Sequence, residues 1–256
     1  MKIMKNSKKI AVVTGGSEGI GAALVEELLI LNFNVYAISR SKNKLKKLKT
    51  KLSNYANRLS TFSADVTSSR KLKKIAEQIE TPDLLILNAG IYKPVTIENF
   101  DINIFKIHND VNYMGIINSF DAFIKKMLDR KGRSILIMSS VAGWIGLPKA
   151  SAYSPTKASL RSFAQSIRYD LLKYNVDIKI CSPGFVNTNA IKYNDFYMPG
   201  LIEPKKAAKL ILKGLSSKRF EISFPFAFSL TMKILYLIPD KLSFLIIKYI
   251  TVKNDQ

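Results

Sequence analysis

Thr14-Gly15-Gly16-Ser17-Glu18-Gly19-Ile20-Gly21 follows directly on the apolar, β-branched run Ile10 to Thr14 and opens a helical pattern over Ile20 to Leu31. This strand, glycine turn and helix decide the fold. Glycine permits the tight turn, and its missing side chains let a phosphate approach the backbone. The N–H groups and positive dipole at the start of the helix favour an anion there. The spacing is G-x-x-x-G-x-G rather than G-x-G-x-x-G, so the loop taken alone also reads as a plain strand-to-helix turn.

Beyond this unit, short β-branched runs keep alternating with longer helical patterns. Asn34 to Ser39 reads as a strand, Asn43 to Asn54 as a Lys-rich helix, Leu59 to Ala64 as a strand, and Ser68 to Ile79 as a helix with Ser68 as its N-cap. Leu84 to Asn88 is continuously apolar, as a strand covered on both faces should be. Two helical stretches run to Asp129. Strand Ser134 to Ser139, helix Ala152 to Tyr174, strand Asp177 to Ser182, helix Pro204 to Leu215 and strand Phe220 to Phe224 follow. The alternation predicts an α/β fold, a doubly wound parallel sheet with helices on both faces, forming a single domain over residues 1–224. Residues 225–256 read as an apolar, basic extension, with Asp240 as a helix cap.

The chain has 256 residues, 47% of them apolar and 23% charged, which excludes wholesale disorder, and its net charge is +21. The excess is 32 Lys against 8 Arg and is spread along the chain. Base readers lean on Arg, so no nucleic-acid partner is expected; an acidic membrane surface stays open as an alternative. One cysteine, Cys181, excludes a disulfide scaffold, and one histidine, His108, leaves too few ligands for a histidine zinc site, so no metal is expected. Cys181 reads as a small buried hydrophobe and His108 as a helix-surface or satisfied structural residue. Met1 to Lys9 is basic and polar, the apolar run Ile10 to Val13 behind it is too short for a signal peptide, and no uncharged apolar run reaches 18 residues. The expected location is the cytoplasm, with membrane association as the alternative. Any chemistry must run on Tyr, Lys, Ser, Asp or Glu.

Tyr153 and Lys157 stand four apart at the start of a helix, with Pro155 in its first turn, so they share a face. An ammonium beside a phenol lowers its pKa and eases proton donation to a carbonyl. Ser139-Ser140 closes the fifth strand, and Asn88-Ala89-Gly90 and Asn112 belong to the same sheet edge, where open parallel sheets bind ligands. The second strand ends in Ser39-Arg40-Ser41. An acid there would take the ribose 2′-OH of NAD; an Arg between two hydroxyls suits the 2′-phosphate of NADP. The reading is NADP(H), with NAD(H) kept open.

Taken together these residues resemble the short-chain dehydrogenase/reductase (SDR) family over about Lys9 to Phe224: the loop Thr14 to Gly21, Asp65, Asn88-Ala89-Gly90, Asn112, Ser140, Tyr153, Lys157, and Pro183-Gly184 with Val186 and Thr188. The resemblance implies a Rossmann-like sheet of about seven strands and hydride transfer between a nicotinamide and a carbonyl or alcohol carbon. It makes Tyr153 the general acid/base, Lys157 the holder of the nicotinamide ribose, Ser140 the donor to the substrate oxygen and Asn112 the anchor of a relay water. It assigns the cofactor to Gly15, Ser17, Gly19, Ile20 and Gly21, to Ser39 and Arg40, and to Asp65 with Val66 at the adenine. Asn88, Ala89 and Gly90, with Pro183, Gly184, Val186 and Thr188, take the ribose and nicotinamide end.

One residue departs from the pattern: Glu18 stands where many NADP-preferring members carry a base. The segment Asn187 to Leu201 corresponds to a lid, and its Ile191, Tyr193, Phe196, Tyr197 and Met198 suggest a hydrophobic substrate. The helices over Val111 to Leu128 and Ala152 to Tyr174 resemble those that pair subunits, implying a homodimer or homotetramer. The alternatives are a cofactor-binding sensor without turnover, or a membrane-surface protein that uses the apolar stretch Phe224 to Ile250.

Overall fold

The computed structural model describes residues 9–129, 131–193 and 198–252. Among them seven strands form one sheet: β1 (Ile10–Thr14), β2 (Asn34–Ser39), β3 (Leu59–Ser63), β4 (Leu84–Leu87), β5 (Arg133–Met138), β6 (Val176–Pro183) and β7 (Glu221–Phe224). Their order is β3-β2-β1-β4-β5-β6-β7, with every pair parallel. The chain winds from β1 out to β3, then returns to the other side of β1 as β4. That reversal is the topological switch point, where loops leaving adjacent strands diverge and open a crevice. Thr14 lies level with both Ile38 and Leu87, so the loops after β1, β2 and β4 emerge at one height.

The sheet is covered on both faces, which explains why β1 and β4 are buried along their whole length. Alternation assigns each residue its side. Ala11 and Val13 pack with α1 (Gly19–Ile30), α2 (Lys42–Lys51) and α7 (Pro204–Leu215). Val12, Leu85 and Leu87 pack on the opposite face, with α3 (Ser69–Gln78), α5 (Gly115–Leu128) and α6 (Ser154–Leu172). Part of the lysine excess is architectural: Lys126 donates to the carbonyls of Ala76 and Ile79 at the end of α3, and buried Lys179 donates to those of Ser217 and Arg219.

Local chemistry moves some boundaries. Ser68 stands at the N-cap of α3, but its side chain makes no capping bond; Ser41, not expected as a cap, accepts from Lys44 N at 3.3 Å and starts α2. α4 (Ile102–His108) runs into α5 through a π turn at Asn109–Met114, a widened turn of the kind that often marks a functional site. Beyond β7, α8 (Phe226–Leu237) and α9 (Asp240–Val252) form the tail. Asp240 is the first helical residue of α9 rather than its cap, where its charge still suits the dipole. Among the described residues no helix is long and apolar enough to cross a membrane.

Candidate active site

The turn after β1 is closed in a way only glycine allows. Gly15 and Gly19 have φ of +65° and +55°, and a Cβ on Gly21 would fall 2.1 Å from the Gly15 carbonyl oxygen. Asn88, just past β4, ties the two central loops together. Its Nδ2 donates to the carbonyls of Thr14 and Gly15 at 3.0 and 3.2 Å, while the backbone N–H groups of Asn88 and Ala89 donate to Thr14 Oγ1. No side chain caps α1, and its first turn carries no acid. Its leading N–H groups are therefore left for an anionic ligand, and a dinucleotide pyrophosphate fits them.

A cleft of about 450 Å³ runs along this edge of the sheet. At one end Ser17 and Ser39 share a hydrogen bond of 2.7 Å, and Arg40, 77% exposed at its side chain, reaches to 3.6 Å from Asp65. Burial pushes the Asp65 carboxyl up, but hydrogen bonds from the N–H and hydroxyl of Thr67, with Arg40 beside it, outweigh that and hold it below the usual carboxylate value. Lys44, hidden in sequence among the lysines of α2, also lines this end. It donates to Glu18 at 2.6 Å, and Asn189 Nδ2 donates to the other Glu18 oxygen at 2.7 Å. Glu18 is thus neutralised by Lys44, which softens its departure from the basic pattern.

At the other end of the cleft stand Ser140, Tyr153 and Lys157. Tyr153 N-caps α6 and Lys157 follows one turn later, its Nζ 5.5 Å from the Tyr153 ring centre. Lys157 is 4% exposed and donates to the Met138 carbonyl at 2.9 Å; burial lowers its pKa to about 8. The tyrosine does not follow the expectation that the lysine lowers its pKa. Burial pushes the Tyr153 phenol up to about 12, against the hydrogen bond with Ser140, which pulls it down. The desolvation that shapes Lys157 dominates here too.

Each residue expected in the cofactor and catalytic sets lines this cleft except Asn112. Asn112 is fully buried behind Gly90, in the π turn. Its Oδ1 accepts from Ile91 N at 2.7 Å, and its Nδ2 donates to the Ile91 carbonyl and to Thr156 Oγ1. Thr156 in turn donates to the Tyr153 carbonyl at 2.7 Å. Asn112 therefore clamps the loop after β4 to the start of α6, and its amide is committed to that task. His108 is buried with both ring nitrogens bonded, Nε2 accepting from Lys93 N and Nδ1 donating to the Ile104 carbonyl. Desolvation lowers its pKa, against the Ile104 hydrogen bond, so it is a satisfied structural histidine.

The surroundings of the reaction end leave little trace in the sequence. Tyr92 meets Tyr153 edge-on at 5.2 Å. Glu221 on β7 accepts from Trp144 Nε1 and Ser182 Oγ and pairs ionically with Arg161, each at 2.7 Å, and so fastens the turn after Ser140 to β6 and α6. A lone Glu at a strand start gives no sequence signal for this. The tail closes over the same region: Met232 and Leu235 of α8 pack on Val141 and Trp144, and Phe228 lies against Gly184 and Phe185. Of the lid residues, Ile191 lines the cleft and Met198 is half-buried; Phe196, Tyr197 and the Tyr193 side chain lie outside the described residues.

A family model described as short chain dehydrogenase matches residues 9–195. The chain belongs to the short chain dehydrogenase family. This makes it a member of an oxidoreductase family with a nicotinamide cofactor, on a Rossmann-like fold. An uncharacterized oxidoreductase of Myxococcus xanthus is 28% identical over 240 residues, covering 92% of this chain and 95% of that one. The 3-dehydrosphinganine reductase of Danio rerio is 28% identical over 242 residues, covering 87% of this chain and 73% of its own. Among solved structures, a short chain dehydrogenase from Burkholderia cenocepacia in complex with NADP superposes with a TM-score of 0.81 at 25% identity, covering 92% of this chain and 96% of that one.

Proposed function

We propose that this short chain dehydrogenase uses NADP(H) to interconvert a ketone and an alcohol on a hydrophobic, long-chain substrate. The observation that carries the reading is the meeting of Ser140, Tyr153 and Lys157 at one end of a cleft whose other end offers the uncapped α1 and Arg40. Bound cofactor supplies the hydride; the protein supplies position and proton. Ser140 Oγ donates a hydrogen bond to the substrate oxygen and favours its developing negative charge. Tyr153 Oη, still protonated far above neutral pH, gives its proton to that oxygen. Lys157 holds the ribose end and offers a positive charge beside the phenol. Asn112 and Thr156 position rather than react.

The long apolar substrate is supported by Tyr92 beside Tyr153, by Val141 and Trp144 packed under the inner face of α8 next to Ser140, and by the 3-dehydrosphinganine reductase likeness. The test is NADPH oxidation with methyl ketones of increasing chain length. Each buried methylene is worth about 0.8 kcal/mol, roughly fourfold in kcat/KM, until the pocket is full. A flat series would remove the apolar-substrate part. NADPH binding without turnover of any ketone would favour a sensor.

NADP(H) over NAD(H) rests on Arg40, with Ser39, Ser41 and Lys44 near it. A charge-assisted bond to the 2′-phosphate contributes about 1.5–3 kcal/mol. Arg40→Ala is expected to weaken NADPH about tenfold or more and leave NADH unchanged in a fluorescence titration. Equal wild-type affinity for both would contradict the assignment.

A homodimer or homotetramer is also proposed. Tyr169 and Leu172 on α6 are 76% and 62% exposed, as are Ile107 and Met114 beside α5 at 52% and 40%, a surface suited to a second copy. Light scattering at micromolar concentration should give two or four subunits; a monomer would refute this.

A further inference from the structure

The tail turns its apolar residues outward. Of the large hydrophobic side chains exposed among the described residues, ten of twenty-one fall between Phe226 and Tyr249. On α8, Phe226, Leu230, Ile234 and Leu237 repeat at helical spacing along the open face, with Phe226 and Leu237 77% and 78% exposed. On α9 the pattern is inverted outright. Ser243 is fully buried and Ile247 partly so, while Leu242, Phe244, Leu245 and Tyr249 are 51–66% exposed. A helix stable at a water surface does the reverse.

We infer that the outward face of α8 and α9 is a docking surface for an anionic lipid membrane, with the helices lying in the interface plane. Charge chooses this occupant. Asp240 is the sole acid from Phe226 to Val252, against Lys233, Lys241 and Lys248, and the whole chain carries +21. Stacking this face on its own copy would set its lysines against each other with Asp240 alone to pair them, whereas anionic headgroups attract them. Exposed Lys241 and Lys248 suit headgroup level, with the aromatic and leucine side chains below it. Lys233 is held inward, its Nζ 5.0 Å from the Trp144 ring centre and 3.6 Å from Glu221. The inner face of α8 touches Trp144, Gly184 and Phe185, so the membrane would lie one helix thickness from the reaction end. The bilayer would then be the source of the apolar ketone; that last step rests on the proposed function, the docking does not.

The experiment sediments the full-length protein with vesicles of phosphatidylcholine, with and without phosphatidylglycerol, at low and high salt. Binding is expected with the anionic vesicles and weakened by salt. The triple variant Leu237→Gln, Leu242→Gln, Phe244→Gln changes exposed side chains only, so its circular dichroism and its turnover of a short soluble ketone should match wild type. Its vesicle binding should fall roughly 100-fold as three large apolar groups leave the interface, and turnover of a long-chain ketone held in those vesicles should fall with it. Wild type that binds neither vesicle overturns the proposal. So does undiminished binding by the variant, or a change in its subunit number by light scattering, which would assign the face to a second copy. If vesicle binding behaves as expected but no ketone is reduced, the docking stands and the proposed function fails.

Discussion

Tyr153→Phe is expected to lower kcat for ketone reduction by about 10²–10⁴-fold, the range that a positioned proton donor contributes. The hydroxyl is the proposed acid, and its loss leaves Ser140 to face the substrate oxygen alone. The ring keeps its volume and its edge-on contact with Tyr92, so the cleft should hold its shape. NADPH affinity, read by fluorescence, should therefore stay within about twofold of wild type. A variant that keeps near wild-type kcat would remove Tyr153 from the chemistry.

Lys157→Met is expected to separate stability from activity. Burial lowers the Lys157 pKa from 10.5 to about 8, so below about pH 8 the fold carries the cost of a desolvated ammonium. At 1.36 kcal/mol per pKa unit that cost is about 3 kcal/mol, partly offset by the bond to the Met138 carbonyl. The sign follows from proton counting. Between about pH 8 and 10.5 the unfolded chain binds more protons than the folded one, so this group's contribution to stability becomes more favourable as pH rises through that window. At pH 7 the methionine variant should melt no lower than the cofactor-free wild type, while losing both NADPH affinity and turnover. A residue kept at a cost to the fold is one kept for function. The same pKa predicts that wild-type kcat/KM for NADPH, which reports the free enzyme, is level near neutrality and falls above about pH 8. Tyr153, at about 12, stays a proton donor throughout that range. A profile flat to pH 10, or a variant that melts well below wild type, would contradict the role of the charged lysine.

The sheet was legible because its signals are local. Runs such as Ile10 to Thr14 and Leu84 to Leu87 are continuously apolar, and glycine at 15, 19 and 21 answers a steric demand of the turn. Most of the expected cleft-lining residues were legible through order along the chain, since they close or follow a strand at the same edge, and Tyr153 and Lys157 through their spacing at the start of α6. What escaped was long-range. Nothing near Glu221 in sequence announces that it gathers Trp144, Arg161 and Ser182 from three other elements. Lys44 is indistinguishable from its lysine neighbours until α2 turns it toward Glu18. Asn112 was expected to anchor a relay water; a helix pattern does not foretell the π turn that sets its side chain behind Gly90. The rise in the Tyr153 pKa escaped for the same reason, because spacing reports the Lys157 neighbour and not the desolvation around both.

The most direct test of the central claim follows the hydride itself. Wild-type protein is incubated with NADPH carrying deuterium at the transferable position of the nicotinamide and a long-chain ketone, and the product is examined by mass spectrometry. The expected result is loss of NADPH absorbance matched by an alcohol with a single deuterium on its carbinol carbon, and roughly a hundredfold less product or lower with Tyr153→Phe. NADPH bound in the cleft, with no deuterium reaching any ketone offered and no alcohol oxidised in the reverse direction, would contradict it.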